Sequence, residues 1–265
     1  MAVLDGEAVT RFRDVVVVGG GCYGSFYAGQ LVQARERGKL SFRSVLIVDR
    51  DPGCQAVREG RVGNGFELIV SSWDDYFDRL FTQPPPAPDE PDDAVVPSPL
   101  MPHLMAHWLV RQTRRADAGG LVQGVAETPL DSPYDVLAPD GTRYVSFADW
   151  LCPTHCVEPH ICPVIRAPRT WEMADALERY VVRRSAVRRT LGPALFVTRH
   201  RAFGVGMFDA EPARRARALA AEALETDADL LVATISSCHG ALTVLTPSSR
   251  AAGARPAGAG LPAPR

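Results

Sequence analysis

A dense group of cysteines and histidines stands in the second half of the chain, in the stretch LCPTHCVEPHICP at 151–163. Three of the six cysteines of the sequence, Cys152, Cys156 and Cys162, fall within these thirteen residues. Thiolates and imidazoles at short spacing in a proline-stiffened loop are typical of sulfur-rich metal sites. The spacing matches neither the common zinc pattern nor the ferredoxin pattern, so it does not identify the metal. We predict a metal site on the residue types, with zinc and an iron–sulfur cluster as the two candidates.

The sequence leaves the fourth ligand of such a site open. His160 and His155 lie inside the stretch, and Cys238 follows an apolar run that predicts a strand at 231–236. The end of a strand is a common position for functional groups in α/β proteins. We therefore take His160 and Cys238 as candidate ligands beside the three clustered cysteines. The alternatives are thiol redox chemistry and a set of packed thiols without a metal.

A glycine-rich turn near the N-terminus offers a different chemistry. In the stretch VVVVGGGCYGSFYA, Gly19, Gly21 and Gly24 follow a β-branched run that predicts a strand and precede a helical pattern. These glycines allow a tight turn, the approach of a pyrophosphate to the backbone, and close packing of the helix on the strand. Asp49 ends the next predicted strand, where its carboxylate can accept hydrogen bonds from a ribose diol.

These motifs resemble the Rossmann dinucleotide-binding superfamily over residues 13–100. The resemblance implies a nucleotide site at the turn and the second strand end, formed by Gly19, Gly20, Gly21, Cys22, Tyr23, Gly24, Asp49 and Arg50. It implies NAD as the cofactor, because a carboxylate at Asp49 would repel the 2′-phosphate of NADP. NADP and FAD are the alternative nucleotides, and a methyltransferase that binds S-adenosylmethionine is a third interpretation. The resemblance does not fix a reaction.

The elements that must position these residues alternate between strand and helix, which predicts the α/β class. We expect an N-terminal Rossmann-type parallel sheet with helices on both faces over 1–115. A smaller α+β region with the Cys/His cluster follows over 116–247, and the low-complexity segment 248–265 is predicted to be disordered. The run ALFVTRHRAFGVGMF at 194–208 is predicted as one strand-like segment.

Composition excludes some classes of function. Hydrophobic residues make up 46% of the chain, and the formal net charge is -2, so we expect no nucleic-acid partner. No apolar run reaches the length of a membrane span, and the N-terminus lacks the order of a signal peptide, which favours a cytoplasmic protein without a membrane partner. The abundance of Ala, Arg and Pro indicates a bacterial source.

Together these patterns predict an NAD-binding oxidoreductase that carries a Cys/His metal site and acts on a small-molecule substrate. One alternative is a non-catalytic sensor that binds a nucleotide and reports redox or metal status. Another is an FAD-binding flavoprotein. The i, i+4 pair His103 and His107 is predicted to pack in a helix rather than to bind a metal. Catalytic residues, the substrate and the oligomeric state stay open.

Overall fold

The computed structural model describes residues 9–114, 119–153 and 156–251, which form strands and helices in near alternation. The strands are β1 (Thr10–Arg11), β2 (Asp14–Val18), β3 (Leu40–Ser41), β4 (Ser44–Asp49), β5 (Phe66–Val70), β6 (Ala94–Val96), β7 (Leu121–Gln123), β8 (Tyr134–Leu137), β9 (Arg143–Ser146), β10 (Thr190–Val197), β11 (Arg199–Ala202), β12 (Val205–Asp209), β13 (Asp229–Ile235) and β14 (His239–Pro247). The helices are α1 (Cys22–Glu36), α2 (Gln55–Arg58), α3 (Trp73–Thr82), α4 (Leu104–Thr113), α5 (Met173–Ser185), α6 (Glu211–Glu225) and α7 (Ser248–Ala251).

Four parallel strands form most of the first sheet, whose order is β11-β12-β6-β2-β4-β5. β6, β2, β4 and β5 pair in parallel, with Val16 opposite Leu46 and Val95. β12 pairs antiparallel with β6, and β11 pairs antiparallel with β12. The predicted α/β class is confirmed, but the sheet as a whole is mixed rather than parallel. A hairpin from the C-terminal half covers the β6 edge, whose backbone polar groups would otherwise lack partners.

The second sheet has the order β10-β13-β14-β9-β8, and β7 also pairs with β14. β10 and β13 are parallel, and the other pairs of this sheet are antiparallel. Residues 190–209 pass from this sheet to the first one, because β10 lies in the second sheet and β11 and β12 lie in the first. The predicted single strand at 194–208 is therefore three strands. Thr198 separates the first two, and a turn with positive φ at Phe203 and Gly204 separates the last two.

Three layers of helix cover the two sheets. α3, α4 and α6 lie between the sheets in one apolar cluster, in which the ring centroids of Phe81 and Trp108 are 4.9 Å apart. α1 packs on the outer face of the first sheet, and α5 packs on the outer face of the second. Because both faces of the first sheet are covered, every residue of Asp14–Val18 is buried.

A buried carboxylate joins the second sheet to α5. Asp229, at the start of β13, is fully buried and accepts a hydrogen bond of 2.7 Å from Nη2 of Arg184. Nε of Arg188 lies 3.0 Å from the same carboxylate, and the Thr246 hydroxyl donates to its other oxygen at 3.2 Å. These partners compensate a charge that would otherwise be costly to bury.

The candidate residues lie at strand ends. The glycine turn follows β2, Asp49 ends β4, and the loop at 97–103 follows β6, so all three segments emerge at the carboxyl end of the parallel strands. Cys238 lies between β13 and β14 in the second sheet.

The predicted helix at 24–36 and the predicted disordered tail can be compared with the structure. The helix predicted at 24–36 is present and begins two residues earlier, at Cys22. Part of the tail predicted to be disordered is the short helix Ser248–Ala251, and 252–265 lie outside the described residues. None of the described helices is long and apolar enough to cross a membrane.

Candidate functional site

The glycine turn is held by its own backbone. Gly19 has a φ of +85°, a conformation that L side chains rarely adopt, and its N–H donates to the carbonyl of Val48 at 2.9 Å. A Cβ on Gly24 would lie 1.8 Å from the carbonyl oxygen of Gly19. The helix can therefore approach the strand end this closely only with glycine at position 24.

The N-terminus of α1 faces open space. Gly21 is the N-cap of α1 and provides no side chain to cap the first N–H groups of the helix. A Cβ on Gly21 would meet no atom within 4 Å, so the backbone there faces open space. Cys22 and Tyr23 are exposed on the same turn. First-turn N–H groups beside open space can receive an anion.

Asp49 turns its carboxylate back to the glycine turn. Its Oδ2 accepts a hydrogen bond of 2.6 Å from the N–H of Gly20, and its Oδ1 accepts one of 2.9 Å from the N–H of Asp51. A cavity of about 330 Å³ begins at this carboxylate. It is lined by Asp49, Arg50, Trp73, Asp74, Met101, Leu104 and His107. The predicted nucleotide residues therefore lie together, with a cavity beside them.

Four cysteines, three from one loop and one from a distant turn, line one small cavity of about 50 Å³. Three of them, Cys152, Cys156 and Cys162, follow β9, and Cys238 comes from the turn before β14. All six cysteines of the chain are free, and Cys162 and Cys238 are buried. The other lining residues are Ala148, Trp150, Pro153, Glu158, Pro159, Pro163, Arg169, His200 and His239.

The histidines of this cavity are not those that the sequence indicated. His160 is exposed and does not line the cavity, and His155 lies outside the described residues. His200 on β11 and His239 on β14 take part in the wall instead. Partial desolvation by the surrounding wall lowers the pKa of His239, which is still exposed on one side, while the carboxylate of Glu158 opposes that shift.

Two N–H groups donate to sulfur atoms in the cavity wall. The backbone N–H of Glu158 lies 3.4 Å from Sγ of Cys156, and Nε1 of Trp171 lies 3.4 Å from Sγ of Cys238. Such donors stabilise the thiolate form of cysteine. Burial acts in the opposite direction and raises the pKa of Cys238, and partial desolvation raises that of the exposed Cys152. A bound cation would oppose this effect of burial on the thiols.

Several polar atoms in the cavity wall are buried without a hydrogen-bond partner among the described residues. They are Oε1 of Glu158, Nε and Nη1 of Arg169, and Nε1 of Trp150. The second oxygen of Glu158 accepts a hydrogen bond of 3.0 Å from the N–H of Ser237. Unpaired buried polar groups are costly, so this concentration indicates a place where a further group or water completes the contacts.

The four cysteine side chains lie around one cavity, but they do not have the geometry of a metal site. Within the described ranges, no group of three or more His, Cys, Asp or Glu side chains has the arrangement needed to hold a metal ion. The donor set of four thiols is nevertheless the set that zinc and iron–sulfur clusters use. The four predicted cysteine ligands therefore lie around one cavity, whereas the predicted ligand His160 does not.

A larger cleft of about 520 Å³ lies against the same two histidines. It is lined by Pro99, Pro102, Tyr134, Tyr144, Val145, Ser146, Thr198, His200, Thr234, Ile235, Ser236, His239, Gly240 and Ala241. His103, the N-cap of α4, has Nε2 at 2.6 Å from the hydroxyl of Tyr144. This contact ties the loop after β6 to the second sheet.

Sequence reasoning missed part of this site. Glu158 lies inside the cysteine stretch and Arg169 shortly after it, and charged residues beside clustered cysteines were a signal that could have indicated them. His200 and Tyr144 carry no such signal, because they stand in ordinary strand segments far from the stretch. The pairing of β9 with β14, with His239 opposite Ser146, brings Tyr144 to this place. His200 reaches it because the chain passes from β10 in the second sheet to β11 in the first.

Comparison with known protein families gives one match. A family model described as "Uncharacterized protein, C-terminal domain" matches residues 105–248, more than half of the chain. The matched segment contains all four cysteines of the cavity and both histidines, whereas the glycine turn and Asp49 precede it. Comparisons with curated proteins and with solved structures give no match.

Proposed function

The chain belongs to this family of uncharacterized C-terminal domains, and we propose that it is an oxidoreductase that binds NAD and carries a metal centre. In this proposal the dinucleotide binds at the glycine turn in the manner of Rossmann proteins. Zinc or an iron–sulfur cluster is held by the cysteines of the small cavity. The substrate is a small molecule.

One segment of the chain supports a joint role for the two sites. Between β6 and the first turns of α4, Met101, Leu104 and His107 line the cavity at Asp49. Pro99 and Pro102 of the same segment line the larger cleft, and His200 and His239 line both this cleft and the cysteine cavity. A nucleotide, a substrate and a metal centre would thus occupy adjoining spaces. The adjacency of the cavity at Asp49, the larger cleft and the cysteine cavity is the observation that most supports the proposal.

At the nucleotide end, the residues fit a dinucleotide by shape and charge. The open space at Gly21 admits a pyrophosphate to the first N–H groups of α1, where the helix dipole favours negative charge. The carboxylate of Asp49 is suited to accept hydrogen bonds from the ribose hydroxyls and to repel a 2′-phosphate. A bound nicotinamide would supply hydride transfer.

At the metal end, Cys152, Cys156, Cys162 and Cys238 would hold the ion or cluster. A metal centre there would supply electron transfer or polarise a substrate oxygen. The N–H donors from Glu158 and Trp171 would stabilise the negative charge on sulfur. The prolines beside Cys152 and Cys162 restrict the loop, which lowers the entropy lost when the ligands are fixed.

The nucleotide part is tested with Gly21→Ala. The φ of Gly21 is -72°, which alanine adopts readily, and no atom lies within 4 Å of the new Cβ, so the fold is retained. The Cβ would occupy the space of the pyrophosphate and raise the Kd for NADH by about tenfold, measured by NADH fluorescence. Gly29→Ala, in the same helix, is the matched control and leaves the Kd unchanged. A wild-type protein that does not bind NADH, or that binds NADPH equally well, contradicts the proposal.

The metal part is tested by metal and acid-labile sulfide analysis of protein purified without oxygen. We expect zinc, or iron with sulfide, in the wild type and its loss in Cys238→Ser. Cys22→Ser is the control, because Cys22 is exposed at the glycine turn and should not affect metal content. Metal-free wild-type protein, or equal metal in both variants, contradicts this part.

A further inference from the structure

The larger cleft has the size and position of a substrate site. Its volume of about 520 Å³ lies within the range of small-molecule sites in proteins, roughly 300–1,000 Å³. Its walls come from both halves of the chain: the loop after β6 supplies Pro99 and Pro102, and the second sheet supplies most of the rest. The cysteine cavity, of about 50 Å³, is too small for such a molecule.

The lining of the cleft indicates which molecules it can accept. Among the fourteen lining residues there is no Asp, Glu, Lys or Arg. While the imidazoles of His200 and His239 are neutral, a charged ligand would lose its hydration without gaining a counter-ion from the wall, which is unfavourable. Pro99, Pro102, Tyr134, Ile235 and Ala241 provide apolar surface for a carbon skeleton.

Polar groups stand on the remaining wall. They are the hydroxyl groups of Tyr144, Ser146, Thr198, Thr234 and Ser236 and the imidazoles of His200 and His239. The Tyr144 hydroxyl is held in place by His103 at 2.6 Å. A hydroxyl can donate and accept hydrogen bonds, so this wall suits a ligand with a hydroxyl or carbonyl oxygen.

We propose that this cleft is the substrate site, and that it takes an uncharged small molecule with an apolar body and a hydroxyl or carbonyl group. The identification as a substrate site rests on the proposed function, whereas the preference for uncharged ligands rests on the lining alone. His200 and His239 place such a ligand against the wall of the cysteine cavity. The two histidines thereby link recognition of the ligand to the candidate metal centre.

The test uses three probes of equal skeleton and different charge: benzyl alcohol, benzoate and benzylammonium. Binding to the full chain is measured by saturation-transfer NMR, without nucleotide, on wild type and on the metal-free Cys238→Ser protein. At about pH 8, above the ordinary pKa of imidazole, we expect benzyl alcohol to bind about tenfold more tightly than either ion, because the wall then offers no counter-charge. Equal or tighter binding of an ion, or no binding of benzyl alcohol, overturns the proposal.

Two variants locate the binding. Thr198→Phe narrows the cleft and should weaken benzyl alcohol binding about fivefold. Val187→Phe, at an exposed position after α5, is its matched control and should leave binding unchanged.

Thr198 lies close to Gly206, so a phenylalanine there could also disturb the fold. A second variant is therefore Tyr134→Ala, whose exposed side chain can be removed without loss of the fold. It should weaken binding about threefold.

The outcomes separate the cleft from the proposed function. Benzyl alcohol binding that is insensitive to both Thr198→Phe and Tyr134→Ala overturns the cleft assignment, even where NADH and metal bind as expected. Selective binding of benzyl alcohol that both variants weaken supports the preference for uncharged ligands, even if NADH does not bind, and the failure then falls on the proposed function.

Discussion

The glycine turn and the cysteine cavity are built in opposite ways. The turn is local: six consecutive residues, 19–24, fix its shape, and one carboxylate from the neighbouring strand completes it. The cavity is assembled from a loop after β9, one residue of β11 and the turn before β14. A local site can form as soon as its strand and helix pack, whereas an assembled site requires that the whole second sheet is in place.

The two sites also differ in what they expose. The glycine turn presents N–H groups and exposed side chains to open space, which suits a ligand that arrives and leaves. The cysteine cavity is small, and two of its four thiols are buried, which suits a group that stays bound. In the proposed function this contrast corresponds to an exchangeable cofactor at the turn and a resident metal centre in the cavity, and it can be examined by perturbing each region in turn.

The largest effect is expected in the second sheet, on which the assembled site depends, from Asp229→Asn at the start of β13. The substitution removes the charge that compensates Arg184 and Arg188, and loss of one partner of a buried ion pair costs about 3–5 kcal/mol. Urea unfolding measures the loss. Arg183→Gln, in the helix that carries Arg184, is the control, because Arg183 is half-exposed and its loss should change stability by less than about 0.5 kcal/mol. Equal losses in the two variants would contradict the role of Asp229.

A smaller loss of stability is expected in the region of the local site, from Gly24→Ala. The new Cβ would lie 1.8 Å from the carbonyl oxygen of Gly19, so helix and strand must move apart, at a cost of about 1–3 kcal/mol. Thermal unfolding and NADH titration should both report the change. Gly29→Ala in the same helix should instead be neutral or stabilising by up to about 1 kcal/mol. Unchanged stability in Gly24→Ala would show that the turn is not tightly packed.

The smallest effect on stability is expected from His103, in the loop at 97–103 that lies between the glycine turn and the second sheet. Burial lowers the pKa of His103 below its ordinary value of 6.5, with a further lowering from His107, while Asp140 opposes the shift. The unfolded chain therefore binds the proton more tightly, and stability falls as the pH drops through the ordinary value. The loss of unfolding free energy between about pH 7.5 and pH 5.5 should be smaller in His103→Gln than in wild type. An equal loss in both proteins would contradict burial of a neutral imidazole.

The same contrast explains what the sequence could predict. Gly19, Gly24 and Asp49 were recognisable because their roles follow from backbone geometry at fixed spacing, and the structure brings them together. The three clustered cysteines and Cys238 were recognisable by residue type, and they line one cavity. His160 was favoured only because it is near the cysteines in sequence, and it lies outside the cavity. Nearness in sequence is a weak guide inside an irregular loop.

The mixed first sheet was not predictable from local pattern. The run at 194–208 is uniformly strand-like, and nothing in its alternation shows that it changes sheets after Thr198. Strand pairing is decided by which edge is free, and the free edge of β6 belongs to a segment about a hundred residues earlier. His200 enters the cavity wall through that same change of sheet, so its role was hidden for the same reason.

The passage of residues 190–209 between the sheets has a mechanical consequence. The chain leaves β10 in the second sheet and immediately forms β11 and β12 at the edge of the first sheet. This direct connection holds the two sheets together, so they cannot rotate apart about a flexible hinge. Ligand exchange would then proceed through movements of loops such as 97–103, with both sheets fixed. Unfolding should be a single cooperative event, and truncation before Arg199 should destabilise the N-terminal half by exposing the edge of β6.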